Sequence, residues 1–283
     1  MSQLIFENAS TVAQQLSAII VKRIEREFAR FQKEFQNDAH GLPTRFCAID
    51  DVFPDDIARE IYEKFPAVEK MRFVDSFRER KYTFKKLDEC SPLLKAAEYA
   101  FQSPEVIRLC ERLTGITPMI SDPSFYAGGL SAMAEGHFLT PHIDNSHDST
   151  RRGYRRLNLL YYVTPDWKPE YGGNLELWDT KVRKPTVIPS LFNRLVLMET
   201  NRRSWHSVCE VRHPGVRCCV SNYFFSKQSP EDCEYFHVTS FMARPEHRMQ
   251  RLISRFDNAF RTGVRYVFKR GLGKVDVYQP VSK

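Results

Sequence analysis

No run of about 18 apolar residues occurs anywhere in the 283-residue chain, so no membrane-spanning helix is expected. The opening "MSQLIFENASTVAQQ" has no basic start followed by an apolar stretch and a small-residue cleavage site, so it does not read as a secretory leader. The seven cysteines are odd in number, unevenly spaced and free of any CxxC pair. That pattern argues against a disulfide framework and against a zinc knuckle, and a reducing, cytoplasmic home is the expectation. Internal repeats and low-complexity segments are also lacking.

What the chain does have is apolar material, 42% of residues, with 13% aromatic. That is ample for a sizeable core. Phenylalanine (21) and tyrosine (12) are abundant, and both favour pleated sheet. The net charge of +7 is unevenly placed: residues 241–283 hold ten lysines and arginines against three acids, which accounts for the whole excess. Such a tail suits an anionic partner, or it is simply the solvated face of a helix.

Val12, Leu16, Ile20, Ile24, Phe28, Phe31 and Phe35 recur three and four apart, which predicts one amphipathic helix over 10–36. Gly41 and Pro43 end it. A short strand "RFCAID" precedes a helix opened by Pro54, Asp55 and Asp56, whose acids suit a helix N-terminus. A third helix is expected over 92–113. From about 123 the texture changes to short apolar segments separated by turn clusters: "RLNLLYYV", "NLELWD", "RKPTVIPS", "RLVLME", "WHSVCEV" and "VRCCVSNYFF". Regular short strands of this kind predict an antiparallel barrel or two-sheet jelly roll. A basic helix is expected over 246–269, with Leu252, Phe256 and Phe260 on its apolar face.

His142 and Asp144 in "TPHIDNS" lie two apart, so on a strand both point to one side. His206 follows 64 residues later at the head of another predicted strand. Two histidines and one carboxylate with open positions are the ligand set of non-haem Fe(II) that must also bind a co-substrate and O₂. Zinc more often uses His or Cys in a closed site. Arg217 comes 11 residues after His206. If "RHPG" is a hairpin tip, Arg217 lies near the level of Val211, roughly 16 Å from His206 at about 3.3 Å per residue. A five-carbon diacid chelating the metal could bridge much of that gap to a guanidinium fork.

At these residues the chain resembles a family. "HID" at 142–144, "YGGNLELWD" at 171–179, "ETNRRSWHSV" at 199–208 and "GVRCCVSNYFF" at 215–225 are similar to successive motifs of the Fe(II)/2-oxoglutarate-dependent dioxygenases, in their prolyl 4-hydroxylase-like branch. The resemblance covers about 120–226 well and 46–66 loosely. It implies a mainly β fold with flanking helices (α+β) around a double-stranded β-helix, or jelly roll. It implies His142, Asp144 and His206 as iron ligands and catalytic residues, with Arg217 binding 2-oxoglutarate. The cofactor set is Fe(II), 2-oxoglutarate and O₂, with ascorbate as activator. The implied reaction hydroxylates an unactivated C–H bond while 2-oxoglutarate is decarboxylated to succinate.

The family commonly has a tyrosine nine residues before the first histidine, and here that position is Met133. A Ser or Thr often lies two residues after the basic residue, and here it is Cys219. A halogenase lacks the carboxylate present here as Asp144. "RHPGVRCCVSN" does not carry the further arginines of the nucleic-acid demethylases, so nucleic acid is not the expected partner.

The expected organisation is an N-terminal amphipathic helix (1–40), a dioxygenase domain (41–228) and a basic helical extension (229–283). Expected substrates are a small molecule, a glycolipid precursor or a peptidyl side chain, an anionic one among them. "RRGYRR" at 151–156 is a candidate substrate contact, and His147 and Asp148 are candidates to orient a ligand. His137, an odd five residues from His142, is expected to face away, and His213 to be solvated. Residues 246–270 could dock on the barrel or touch a membrane surface peripherally. The alternative function is a non-catalytic metal- or ligand-binding protein on the same fold that holds an anionic partner through its basic C-terminal helix.

Overall fold

In the computed structural model, which describes residues 9–37, 41–122, 124–126, 128–231, 233–247, 249 and 251, the strands pair antiparallel throughout. In chain order they are β1 (Phe46–Ile49), β2 (Arg72–Asp75), β3 (Glu79–Phe84), β4 (Gly129–Met133), β5 (Phe138–Ile143) and β6 (Tyr154–Tyr162). Then come β7 (Leu175–Trp178), β8 (Pro185–Ile188), β9 (Arg194–Glu199), β10 (His206–Val208), β11 (Arg217–Ser226) and β12 (Ser240–Phe241). They form one curled sheet in the order β1-β9-β6-β11-β4-β3-β5-β10-β7-β8, with β2 added on β3 and β12 on β5. β3 is the corner, pairing with β4 through Tyr82–Phe84 and with β5 through Glu79 and Arg80. The two halves of the sheet therefore face each other across one cavity, which is the expected jelly roll.

The strand sequences explain why both faces are covered. On β6, Leu157, Leu159 and Tyr161 join the core beneath the helices, while Tyr162 belongs to the inner core with Leu175 and Leu177 of the opposite half. Leu195 and Leu197 against Val196 and Met198 divide β9 in the same way. The adjacent Cys218 and Cys219 go to opposite faces, since strand side chains alternate. All seven cysteines are free thiols.

The helices are α1 (Ala9–Glu25), α2 (Phe28–Gln36), α3 (Asp55–Glu63), α4 (Pro92–Phe101) and α5 (Pro104–Thr114). Two differ from expectation. The predicted helix over 10–36 breaks at Arg26 and Glu27, where Glu27 leaves the helical region (φ −130°, ψ 28°). The break turns α2 so that Phe31 and Phe35 are fully buried beside β1 and α5. Each such ring contributes roughly 1.5–3 kcal/mol of apolar burial. The helix expected over 92–113 is likewise two helices, each started by a serine cap followed by proline: Ser91 accepts from the Leu94 amide and Ser103 from the Val106 amide. Pro104 cannot donate in a helix interior, so it begins a new one. The basic helix expected over 246–269 lies almost wholly outside the described residues. Among the described residues no helix is long and apolar enough to cross a membrane.

Glu98, in the middle of α4, is fully buried. It accepts a hydrogen bond from Asn222 Nδ2 at 2.9 Å, and among the described residues its other oxygen has no partner. Burial raises its carboxyl to about 8, against the opposing Asn222 bond. An acid raised in the folded state binds its proton there while the unfolded chain has lost it. Stability is therefore full below the unfolded pKa near 4.5 and falls as pH rises towards about 8. Glu98→Gln should flatten the pH dependence of Tm between pH 5 and 8.5, raising Tm at pH 8 by roughly 2–4 °C per kcal/mol recovered. An unchanged profile in differential scanning fluorimetry would show that the group stays ionised.

Candidate functional site

Antiparallel pairing places His206 of β10 directly opposite His142 of β5. The two rings lie 4.1 Å apart, centroid to centroid. Asp144, just past the end of β5, completes a triangle: Oδ1 is 3.7 Å from His142 Nε2 and Oδ2 is 3.6 Å from His206 Nε2. One ligand atom from each residue lies within 4.8 Å of the others. Each imidazole is turned by its other nitrogen: His142 Nδ1 donates to the Thr140 carbonyl at 3.0 Å, and His206 Nδ1 to the Ser204 carbonyl at 2.9 Å. That fixes the tautomer with Nε2 bare, the arrangement metal-ligating histidines use. Burial, reinforced by the neighbouring His206, pushes His142 down to about 3, so its ring is neutral at physiological pH.

Burial would raise the Asp144 carboxyl, but Arg155, the two histidines and Asn158 outweigh it and hold the group far below the usual carboxylate range. Arg155 Nη1 lies 3.0 Å and Asn158 Nδ2 2.8 Å from Oδ2. With Oδ2 engaged, Oδ1 is the freer oxygen for a metal. The Arg155 guanidinium is 3% exposed and packs 4.4 Å over the Tyr223 ring. It is a permanently charged, buried partner for a buried carboxylate.

These groups open on a cavity of about 480 Å³. Met133, Leu160, Tyr162, Leu175 and Val208 are among its apolar walls, and Arg217, the first residue of β11, lines it beside Met133 and Tyr162. Arg217 is 3% exposed; its Nη2 lies 2.9 Å from Met133 Sδ and its guanidinium 5.2 Å from the Tyr162 ring centroid, while among the described residues Nε has no partner. A buried guanidinium without an anion is costly, so the cavity beside Arg217 suits a carboxylate. The route by which Arg217 gets there corrects the expected hairpin. β10 pairs with β5 and β7, while β11 pairs with β4 and β6, so residues 209–216 cross between the two halves of the sheet. His213 in that crossing stacks flat on Tyr171 at 3.8 Å and is only partly exposed. The double glycine matters here for space as well as for turning. A Cβ on Gly172 would lie 2.0 Å from the Glu210 carbonyl oxygen, and one on Gly173 would lie 3.0 Å from Arg217 Cδ. Both have positive φ.

Other sequence candidates fall outside the cavity. His137 lies against the Phe73 and Tyr82 rings, tilted, with centroids 5.5 and 5.1 Å away. His147 bonds Ser146 and packs on Tyr154, and Asp148 caps its own loop by accepting from the amides of Thr150 and Arg152. Of the basic run, Arg155 alone lines the cavity, while Arg151 lies over Phe236 and Arg156 reaches the Gln228 carbonyl. Sequence reading missed Arg155 as a partner of Asp144, and also Asn158, Tyr162 and Phe241. Asn158 did leave a signal: it is the one polar residue inside "LNLLYYV" and shares strand parity with Leu160 and Tyr162.

Residues 128–225 match the family model of the 2OG-Fe(II) oxygenase superfamily, which bears out the resemblance read from the motifs. The chain is 33% identical to prolyl 3-hydroxylase OGFOD1 of Mus musculus over 97 residues, covering 32% of this chain and 17% of that protein. It is 34% identical to prolyl 3-hydroxylase OGFOD1 of Xenopus laevis over 84 residues, 28% and 16% of the two chains. The matched stretch thus spans about a sixth of those relatives' length. Among solved structures it is similar to a prolyl hydroxylase from Trichoplax adhaerens in complex with a hypoxia inducible factor peptide fragment, with a TM-score of 0.46 and 18% identity, covering 76% of this chain and 91% of that one. A Pseudomonas putida prolyl-4-hydroxylase gives a TM-score of 0.48 at 13% identity, with 75% and 98% covered.

Removing Arg155 leaves the Asp144 carboxylate buried without its guanidinium partner. Arg155→Met should destabilise the metal-free protein by about 3–5 kcal/mol in urea denaturation, and a loss under about 1 kcal/mol would mean that the carboxylate is effectively solvated.

Proposed function

We propose, from the superfamily match of residues 128–225 taken as premise, that this protein is an Fe(II)- and 2-oxoglutarate-dependent dioxygenase that hydroxylates an unactivated C–H bond. The observation that carries the reading is the pairing of two features that line one cavity: a His142, Asp144, His206 triangle and Arg217, whose Nε has no partner among the described residues. The donor set, two imidazoles and one carboxylate, fits Fe(II), which would be held by His142, Asp144 and His206. Bound there, the iron supplies the coupling of 2-oxoglutarate decarboxylation, giving succinate and CO₂, to insertion of one oxygen atom of O₂ into the substrate.

The chain's own residues do the rest. The Thr140 and Ser204 carbonyls aim the two Nε2 atoms, and Arg155 with Asn158 keeps Asp144 ionised with one oxygen directed at the metal. Arg217 grips the distal carboxylate of 2-oxoglutarate by charge-assisted hydrogen bonds. Tyr162, whose ring lies beside that guanidinium, offers a phenol in place of the absent tyrosine at Met133. The apolar walls around them exclude water, which strengthens the ionic contact. Ascorbate acts as activator, and the seven free thiols suit a cytoplasmic setting.

The similarity to prolyl 3-hydroxylases supports a peptidyl prolyl side chain as the first substrate to test, with small molecules and glycolipid precursors as further classes. With Fe(II), ascorbate and O₂, the protein should convert 2-oxoglutarate to succinate even without substrate. His142→Ala or Asp144→Ala should abolish this. Arg217→Ala should raise the KM for 2-oxoglutarate by about tenfold to a hundredfold, the worth of a charged hydrogen bond of about 1.5–3 kcal/mol, while iron stays bound. No succinate from the unaltered protein would favour a binding role, and loss of iron from Arg217→Ala would overturn the role given to that arginine.

A further inference from the structure

The stretch after β11 lies beyond the residues that match the superfamily, yet it returns to the metal triangle. The His237 carbonyl accepts from the Ser146 amide at 3.0 Å, and its amide donates to Ser146 Oγ at 2.9 Å. β12 then adds to the edge of β5, with Ser240 opposite Ile143 and Phe241 opposite His142, and the Met242 amide reaches the Pro141 carbonyl at 2.8 Å. His142 therefore has His206 on one flank and Phe241 on the other. The Phe241 ring stacks on the His142 imidazole at 5.5 Å and 26°, and Thr239 and Phe241 both line the cavity. Beyond Phe241 the guanidinium of Arg78 lies 5.5 Å from its ring, so Phe241 sits between a metal-ligand histidine and the β2–β3 hairpin.

Three residues further on, Arg244 turns to the outer face of the same half-sheet. It bonds both oxygens of Glu176, which is 5% exposed, and lies 5.6 Å over the Trp178 ring. Glu176 also accepts from Ser207 Oγ, and Ser207 accepts from Trp178 Nε1 at 2.8 Å. Ser207 is the residue after His206, so the fastening point of the segment sits on the back of the strand that carries the other histidine. A charged, bidentate pair at such a place, half-buried at Arg244 and buried at Glu176, fixes the segment's direction as well as its position.

We propose that Phe241 is a positioning residue for His142, and that the Arg244–Glu176 pair is the clamp that holds it there. Segment 233–247 thereby serves as a built wall of the metal site. The inference rests on the dioxygenase reading for the identity of the metal. Rotation of His142 about χ2 is opposed on one side by His206 and on the other by Phe241, with Nδ1 tied to Thr140. Removing the Phe241 flank leaves the ring held by the Thr140 hydrogen bond and by His206 on one side only.

The test uses the full chain and Fe(II) affinity by chelator competition, with Co(II) as a spectroscopic probe of ligand geometry. Phe241→Ala should weaken Fe(II) binding on the order of tenfold and alter the Co(II) visible spectrum, as loss of a ligand-orienting contact does. Phe241→Tyr, which keeps the ring, should restore both. Arg244→Gln should reproduce the Phe241→Ala effect, and the double variant should show no further loss, because both act through the same ring. If Phe241→Ala does not fold, Phe241→Leu and Arg244→Gln carry the same comparison, checked by circular dichroism. Folded variants with unchanged Fe(II) affinity and an unchanged Co(II) spectrum overturn the proposal, as does additivity of the two substitutions. Failure of the unaltered protein to bind Fe(II) removes the dioxygenase reading itself, an outcome separate from equal binding by all variants.

Discussion

The register that sets His206 opposite His142 is the constraint on which the site depends. Cross-strand neighbours bring their Cβ atoms to about 4.5–5.5 Å, close enough for two imidazoles to share one ion. A slip of one residue would turn either ring to the opposite face. Several contacts guard that register from outside the pair. β10 is held on its far side by Leu175–Leu177 of β7, and β5 on its own by Phe241 of β12. The carbonyls of Thr140 and Ser204, each two residues before its histidine, repeat one local device on both strands.

A second constraint separates two buried arginines. Asp144 is paired with Arg155 and Asn158, while among the described residues Arg217 Nε has no partner. One guanidinium is thus neutralised by a buried carboxylate, and the other lies beside Met133 and Tyr162 in the same cavity. Both rest on strands whose other face is locked into the helical core: Leu157 and Leu159 of β6 and Val220 of β11 pack there with Leu94 and Phe101 of α4. Helices and roll therefore share one core, and the site inherits its rigidity. Glu98 puts a carboxyl into that core, with one oxygen unpaired among the described residues.

Much of this was legible because the motifs are local. An HxD on a strand, a later histidine and an arginine 11 residues beyond it can be read without knowing how strands pair, and all four side chains meet one cavity. What pairing decides was less accessible. The crossing of 209–216 looked like a hairpin because "RHPG" is a turn sequence, whereas β10 and β11 lie in opposite halves of the sheet. The helix breaks at Glu27 and at Ser103–Pro104 were hidden by an apolar period that runs through both. Arg155 was noticed only as one of a basic run, since nothing local distinguishes the arginine that turns inward from those that stay outside. Phe241 gave no signal, because its importance comes from a partner a hundred positions earlier.

The proposed function puts Fe(II) on His142, Asp144 and His206 and 2-oxoglutarate on Arg217 in one cavity. Titrating 2-oxoglutarate into the Fe(II)-loaded protein under anaerobic conditions, and following the visible iron-to-2-oxoglutarate charge-transfer absorption, reads both at once. A saturable band is expected in the unaltered protein, with loss of the band in His206→Ala and a band reached only at higher 2-oxoglutarate in Arg217→Met. Iron retained with no band on adding 2-oxoglutarate, or a band that survives His206→Ala unchanged, would contradict the proposed function.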